Sequence, residues 1–231
     1  ITGVIKGHAI NCGDKAAFII GDQCTSYQEL YQKISSAAQY FLSIGIQKGN
    51  HVVSVARPDL EYIICMYALL GIGAVHIPAE NKVPPARLGE IAQAVDAVLV
   101  IGTEQPEGGC KWIAPNQVDM DHPDLDWEPM AISKECSEII FTTGTTGKSK
   151  GVMVTHYGQM NMCESQNAVL NYNNAITEAR LQNNAALAEI AYQALQKELE
   201  LALQGFQYKN TLIQQKTQAR RDISQDYWSR Y

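Results

Sequence analysis

Along the first 170 residues, compact β-branched runs alternate with stretches whose apolar positions recur at helical spacing. Ala16 to Ile20 reads as a strand. Ser26, with Glu29 three residues on, forms a capping box that opens a helix toward Ile44. His51 to Ala56 is the next strand-like run, and Pro58-Asp59 introduces an apolar helix that stops at Gly71 and Gly73. Val75 to Pro78 is again strand-like. Pro84-Pro85 precedes a helix reaching about Val95, since proline fits the first turn of a helix and not its interior. Ala97 to Ile101 is almost continuously apolar, as a strand buried on both faces would be. Gly102 to Met130 carries Pro, Gly and Asp throughout and reads mostly as surface loop, with one strand at Lys111 to Ile113. Glu138 to Thr142 is a further strand. Strands alternating with helices predict βαβ units, hence an α/β domain on a mainly parallel sheet with flanking helices.

The pattern changes near residue 170. All 8 prolines lie at or before Pro129, whereas residues 173–231 are proline-free, rich in Gln and Asn, and contain Gly205 alone of the 17 glycines. Leu187, Ile190, Ala194, Leu195, Leu199, Leu203 and Phe206 recur at helical spacing and predict a long helix with one apolar face. Unbroken, Asn174 to Tyr231 would extend on the order of 85 Å. Such a stripe calls for a partner, either a two-helix hairpin broken at Gly205 or a coiled coil made by self-association of the tail. The expected organisation is an α/β domain at 1–170 and a Gln/Asn-rich helical segment at 171–231.

Charge and cysteine usage narrow the function classes. The net charge of -6, with both signs interspersed, leaves no footprint for a phosphate backbone, so no nucleic-acid partner is expected. Cys12, Cys24, Cys65, Cys110, Cys136 and Cys163 are scattered, with no CxxC and no Cys/His cluster, which argues against a zinc site. Free thiols imply a reducing, cytoplasmic setting. The longest uncharged apolar stretch, Tyr62 to Val75, falls short of the ~20 residues of a membrane-spanning helix and holds two glycines. No basic and apolar leader opens the chain, and Ile1 in place of Met implies a trimmed or partial chain.

The chemistry concentrates in Phe141 to Val152, Phe-Thr-Thr-Gly-Thr-Thr-Gly-Lys-Ser-Lys-Gly-Val. Thr142, Thr143, Gly144, Thr145, Thr146 and Gly147 combine a flexible backbone with N–H and hydroxyl donors suited to phosphate oxygens, and Lys150 adds positive charge ahead of Gly151. Gly147-Lys148-Ser149 matches the end of the Walker A pattern, but that pattern requires glycine where Thr142 stands. It also requires a helix directly after the loop, whereas Gly151 to Thr155 reads as a strand.

These residues resemble the signature of the adenylate-forming superfamily, [ST]-[ST]-G-[ST]-T-G-x-P-K-G, with Ser149 in place of the proline. The likeness extends over about residues 8–170. Thr25 to Leu30 resembles the family's Thr-Tyr-x-Glu-Leu segment, Gly45 to Asn50 its Gly-Val-x-x-Gly-Asp turn, and Leu70 to Glu80 its Leu-x-Ala-Gly-Ala-x-x-x-Pro-Leu-Asp segment. The resemblance implies an N-terminal portion of an enzyme, of the acyl-CoA synthetase or adenylation-domain type, that joins a carboxylic acid to AMP. ATP and Mg²⁺ are implied as cosubstrate and metal. Coenzyme A or a carrier-protein pantetheine is the implied acceptor. By similarity, the Thr/Gly loop would hold the β- and γ-phosphates and Lys150 would offset their charge.

The family's later motifs, an aromatic-Gly-x-Thr-Glu segment, a ribose-binding aspartate, a hinge and a catalytic lysine, are not found after Leu170. No catalytic residue is therefore assigned, and the chain by itself is expected to have little activity. A second reading makes residues 173–231 the working part of a helical assembly protein. Two histidines complete the candidates: His156 is read as a cap of the helix after the loop, and His76, in the strand before Pro78, as a satisfied packing residue rather than a ligand.

Overall fold

The computed structural model describes residues 1–142, 150–181 and 189–207, with Thr211 and Gln215. Two compact units divide it, Ile1–Asn161 and Met162–Tyr231. In the first, helix α1 (Thr2–Cys12) precedes a hairpin of β1 (Ala16–Ile20) and β2 (Gln23–Ser26). Helix α2 (Tyr27–Ser43), β3 (His51–Val55), α3 (Leu60–Gly71), β4 (Val75–Ala79), α4 (Pro85–Ala94), β5 (Leu99–Ile101) and β6 (Trp112–Ile113) follow, and then β7 (Cys136–Thr142) and β8 (Lys150–Thr155). Six strands form one sheet in the order β6-β5-β3-β4-β7-β8. All its neighbours pair parallel except β7 and β8.

Local chemistry accounts for the boundaries. Ser26 accepts from the Glu29 N–H while Glu29 accepts from the Ser26 N–H, so the capping box starts α2 as expected. Asp59 caps α3 through the Tyr62 N–H at 2.9 Å. In the two-residue turn of the first hairpin, positive φ falls on Gly21.

The sheet is covered on both faces. Val52, Leu99 and Ile101 pack with Leu30, Ile34, Phe41, Ile64 and Leu69 of α2 and α3. The alternate residues Val53 and Val100 pack with Val75, Ile77 and, from α4, Leu88 and Ala92. Burial on both faces explains why these strands read as continuous apolar runs.

Three features go beyond the sequence expectation. Helix α1 has no periodic stripe; Thr2 and Ile5 are buried while Val4 and Ile10 stay exposed. The segment after β5 is tied down rather than loose: the Tyr31 hydroxyl donates to Trp127 O, Ser35 Oγ to Asp124 O and Ser36 Oγ to Asp119 O. Trp127 itself is buried against Gly71, where an added Cβ would lie 2.5 Å from the indole. Third, β2 adds a strand directly before α2, with Ser26 serving both.

Helix α5 (His156–Leu181) follows β8. Within the second unit, residues 189–207 are helical through Gly205, which therefore does not break the helix. On that helix Leu195 is buried, while Ile190, Leu199, Leu203 and Phe206 are exposed. Leu187 lies outside the described residues.

Candidate functional site

The Thr/Gly-rich segment joins β7 to β8, which are antiparallel from Cys136↔Thr155 to Thr142↔Lys150. Thr142 and Lys150 are register partners, so the chain leaves the hairpin and returns to it at one point. Thr142 Oγ1 donates to Lys150 O at 3.4 Å. Thr143, Gly144, Thr145, Thr146 and Gly147 lie outside the described residues, whereas Thr142, Lys150 and Gly151 are placed at the end of the hairpin that this segment connects. Strand β8 begins at Lys150, directly after Gly147-Lys148-Ser149, which matches the sequence expectation and is incompatible with Walker A, whose loop must run into a helix. At Gly151 a Cβ would meet Ile139 Cγ2 at 3.0 Å, so glycine lets that side chain cover the hairpin.

Polar bonds hold the base of the hairpin. Ser137 is fully buried and donates to Val154 O at 2.9 Å. Lys48 pairs with Glu135 at 2.8 Å, and the N–H groups of His156 and Tyr157 donate to Glu135 O and Ser133 O. The residue that caps α5 is Thr155, whose Oγ1 accepts from the Gly158 N–H at 3.1 Å. His156 is instead the first helical residue and is buried; burial holds its imidazole below the ordinary histidine range, with Glu135 opposing.

The same hairpin is joined to the sheet through a buried polar chain. His76 has no exposed surface. Its Nε2 lies 2.5 Å from Ser54 Oγ on β3, and its Nδ1 3.0 Å from Glu138 Oε1 on β7. The second carboxylate oxygen of Glu138 accepts from Gln159 Nε2 at 3.1 Å. An ionised carboxylate only accepts, so Nδ1 carries the proton shared with Glu138. Burial works against the charge on Glu138, but the hydrogen bond and charge of His76, helped by Gln159, outweigh it and hold the carboxyl below the ordinary glutamate range. The Tyr62 ring lies edge-on to His76. Burial, reinforced by the Glu138 charge, pushes its phenol upward.

Ser54, His76 and Glu138 share the connectivity of a hydrolytic triad but not its accessibility. Ser54 is 1% exposed, so no substrate reaches its hydroxyl. The reading of His76 as a satisfied interior residue agrees with this. Its partners were not anticipated, although a glutamate inside the apolar run of β7 is the signal that could have revealed them. Cys65 is no nucleophile either, since burial pushes its thiol up to about 12. Among the described residues no group of three or more His, Cys, Asp or Glu could hold a metal, and no helix is long and apolar enough to cross a membrane.

A mostly parallel α/β sheet ending in an antiparallel hairpin, with a Thr/Gly/Lys segment closing that hairpin, defines an N-terminal portion of an adenylate-forming enzyme. The chain belongs to the AMP-binding enzyme family, which matches residues 6–182. It is 28% identical over 166 residues to malpinin synthetase of Mortierella alpina, with 68% of this chain and 2% of that protein covered. It is 29% identical over 159 residues to bacitracin synthase 1 of Bacillus licheniformis, with 64% of this chain and 3% of that protein covered. Among solved structures it is similar to the N-terminal subdomain of Klebsiella oxytoca NpsA in complex with 3-hydroxybenzoyl-AMSN. The TM-score is 0.61 at 25% identity, covering 68% of this chain and 41% of that one. The chain thus spans a small part of the curated relatives it matches and under half of that subdomain. It is likewise similar to NpsA-ThdA of Klebsiella oxytoca, an artificially fused adenylation-PCP di-domain of a nonribosomal peptide synthetase, with a TM-score of 0.61 at 25% identity, covering 67% of this chain and 32% of that one.

Proposed function

We propose that this chain is the phosphate-loop portion of a peptide-synthetase-type adenylation domain, which uses ATP to activate a carboxylic acid for transfer to a carrier-protein pantetheine. The observation that carries the reading is the Phe141 to Val152 segment closing an antiparallel hairpin at the edge of a parallel sheet. The peptide-synthetase relatives favour a pantetheine thiol over coenzyme A.

In this reading a carboxylate oxygen attacks the α-phosphorus of ATP, the bond from that phosphorus to the bridging oxygen breaks, and pyrophosphate departs with the charge. The hydroxyl of Thr142, with Thr143, Thr145 and Thr146 and the backbone at Gly144, Gly147 and Gly151, would face the β- and γ-phosphates. Lys150 would offset their charge as it builds on the leaving group. Mg²⁺ would travel with the nucleotide phosphates and shield the departing pyrophosphate. The acyl-AMP would then lose AMP to an attacking thiolate, with a thioester formed at the acyl carbon.

The test is Mg-ATP titration of the 231-residue chain by calorimetry against the Lys150→Ala variant. Lys150 is exposed, so the substitution should leave the urea midpoint unchanged. Loss of a charge-assisted phosphate contact, about 1.5 to 3 kcal/mol, raises Kd by roughly tenfold or more. Equal affinity in the two proteins would remove Lys150 from the site.

A further inference from the structure

The ladder between β4 and β7 has a single register pair, His76↔Glu138. By contrast, β3 and β4 pair from His51↔Val75 through Val55↔Ala79. At that position the backbone pairing of β7 with β4 coincides with a side-chain bond, His76 to Glu138. His76 is wedged between Ser54 of β3 and Glu138, under the edge of Tyr62 from α3, while Gln159 at the start of α5 grips the other carboxylate oxygen. Four elements are thus tied to one carboxylate at the foot of the hairpin. Thr142, where the Thr/Gly segment begins, is four residues further along the same strand, about 13 Å away. A shift in how β7 seats on β4 is carried along a stiff strand to that segment.

We infer that Glu138 is a positioning residue for the phosphate segment: bonded to His76 and Gln159, it sets how the β7–β8 hairpin seats on the sheet and so where Thr142 and Lys150 stand. The inference rests on the adenylation reading for what the segment binds, though not for the seating itself. A hydrophobic pair at these positions would bury as well, but it would not fix the strand in register, because apolar contact is non-directional and two hydrogen bonds to a carboxylate are not.

The test combines amide hydrogen exchange with Mg-ATP titration on the full chain, comparing the parent with Glu138→Ala and Glu138→Gln. Glu138→Ala should speed exchange in residues 136–142 and 150–155 by about tenfold or more while residues 51–55 and 99–101 keep their protection, and should raise the Kd for ATP by about fivefold. Glu138→Gln keeps the side-chain shape and a carbonyl acceptor for His76 Nδ1–H, so it should recover most of both losses. Equal acceleration in the hairpin and in 51–55 would mean a general stabilising role and would overturn the inference, as would unchanged hairpin exchange, or unchanged ATP affinity in a parent that binds ATP. Where the parent binds no ATP, the adenylation reading fails and the exchange pattern alone decides the seating. Should Glu138→Ala not fold, Gln159→Ala removes one of the two bonds and should give a smaller loosening confined to the hairpin; its absence would overturn the inference equally.

Discussion

The parallel strands β3, β4 and β5 and the antiparallel hairpin β7–β8 belong to one sheet yet are held by different forces. In the parallel strands the residues of β5 are all buried, and β3 buries Val52, Val53 and Ser54 between helices on both faces. The hairpin buries little: Ile139 joins the core, whereas Val152 and Met153 are exposed and the attachment runs through Ser137, Glu135 and Glu138. Apolar burial is strong and forgiving of small displacements. Hydrogen-bonded seating is weaker and sets direction. The parallel strands thus form the frame, and the hairpin is the part of the sheet whose position hydrogen bonds decide.

The largest expected effect tests the frame. Phe41 of α2 is fully buried in the cluster beneath β3 and β5, so Phe41→Ala should cost about 3 to 5 kcal/mol, read as a drop in the urea midpoint. Met153→Ala in the hairpin, 73% exposed, should stay within about 0.5 kcal/mol. Comparable losses at the two positions would mean that the hairpin carries as much burial as the frame, and the contrast would fall.

How legible each region was follows from the same physics. The frame announced itself because its signals are local: the capping box at Ser26 and Glu29, the Asp59 cap, and runs such as Leu99 to Ile101 whose apolarity matches burial on two faces. The hairpin strands and the refusal of a Walker helix were also readable, since β-branched residues resume at Val152. What sequence did not reveal depends on contacts across long separations. Ser35 and Ser36 look like neutral helix residues until the segment around Asp119 to Trp127 lies across α2 and uses their hydroxyls. The partners of His76, one 22 and one 62 residues away, meet only once the strand order is set. A break at Gly205 is one of the two arrangements the tail pattern offers, but a glycine with open space around it costs a helix only about 1 kcal/mol relative to alanine, and residues 189–207 are helical through it.

Acid should separate the two regions. His156, at the base of the hairpin, is held by burial below its ordinary value, so between that lowered value and its unfolded pKa of about 6.5 the unfolded chain takes up a proton the fold refuses. Stability is lost as pH falls from about 6.5. Glu138 is also held below its ordinary range, so its share is present above about 4.5 and is lost as pH falls through the lowered folded value. Both groups sit at the hairpin; in the frame, Glu29 at the α2 cap and Asp119 beside Ser36 are also held low, but as carboxylates they titrate only at lower pH, so the decline that starts near 6.5 belongs to the hairpin. Urea midpoints measured between pH 7.5 and about 4 should therefore fall, and His156→Asn should remove the first part of the decline. A His156→Asn protein with the parent's pH profile would place the acid-sensitive group elsewhere.

The smallest effect on stability separates burial from edge exposure. Strand β8 is the last in the sheet order, and its outer row of backbone groups borders the exposed side chains of Val152 and Met153. An edge with apolar residues pairs readily with other chains, whereas an edge lysine opposes this by charge and by the cost of desolvating its ammonium. Met153→Lys should thus shift the urea midpoint by no more than about 0.5 kcal/mol while lowering concentration-dependent association in sedimentation velocity runs. The two readouts pull apart only if the hairpin is a seated flap with a sticky rim. A Met153→Lys chain that loses as much stability as a core variant would show that Met153 is packed after all, and one that associates like the parent would move the adhesive surface away from β8.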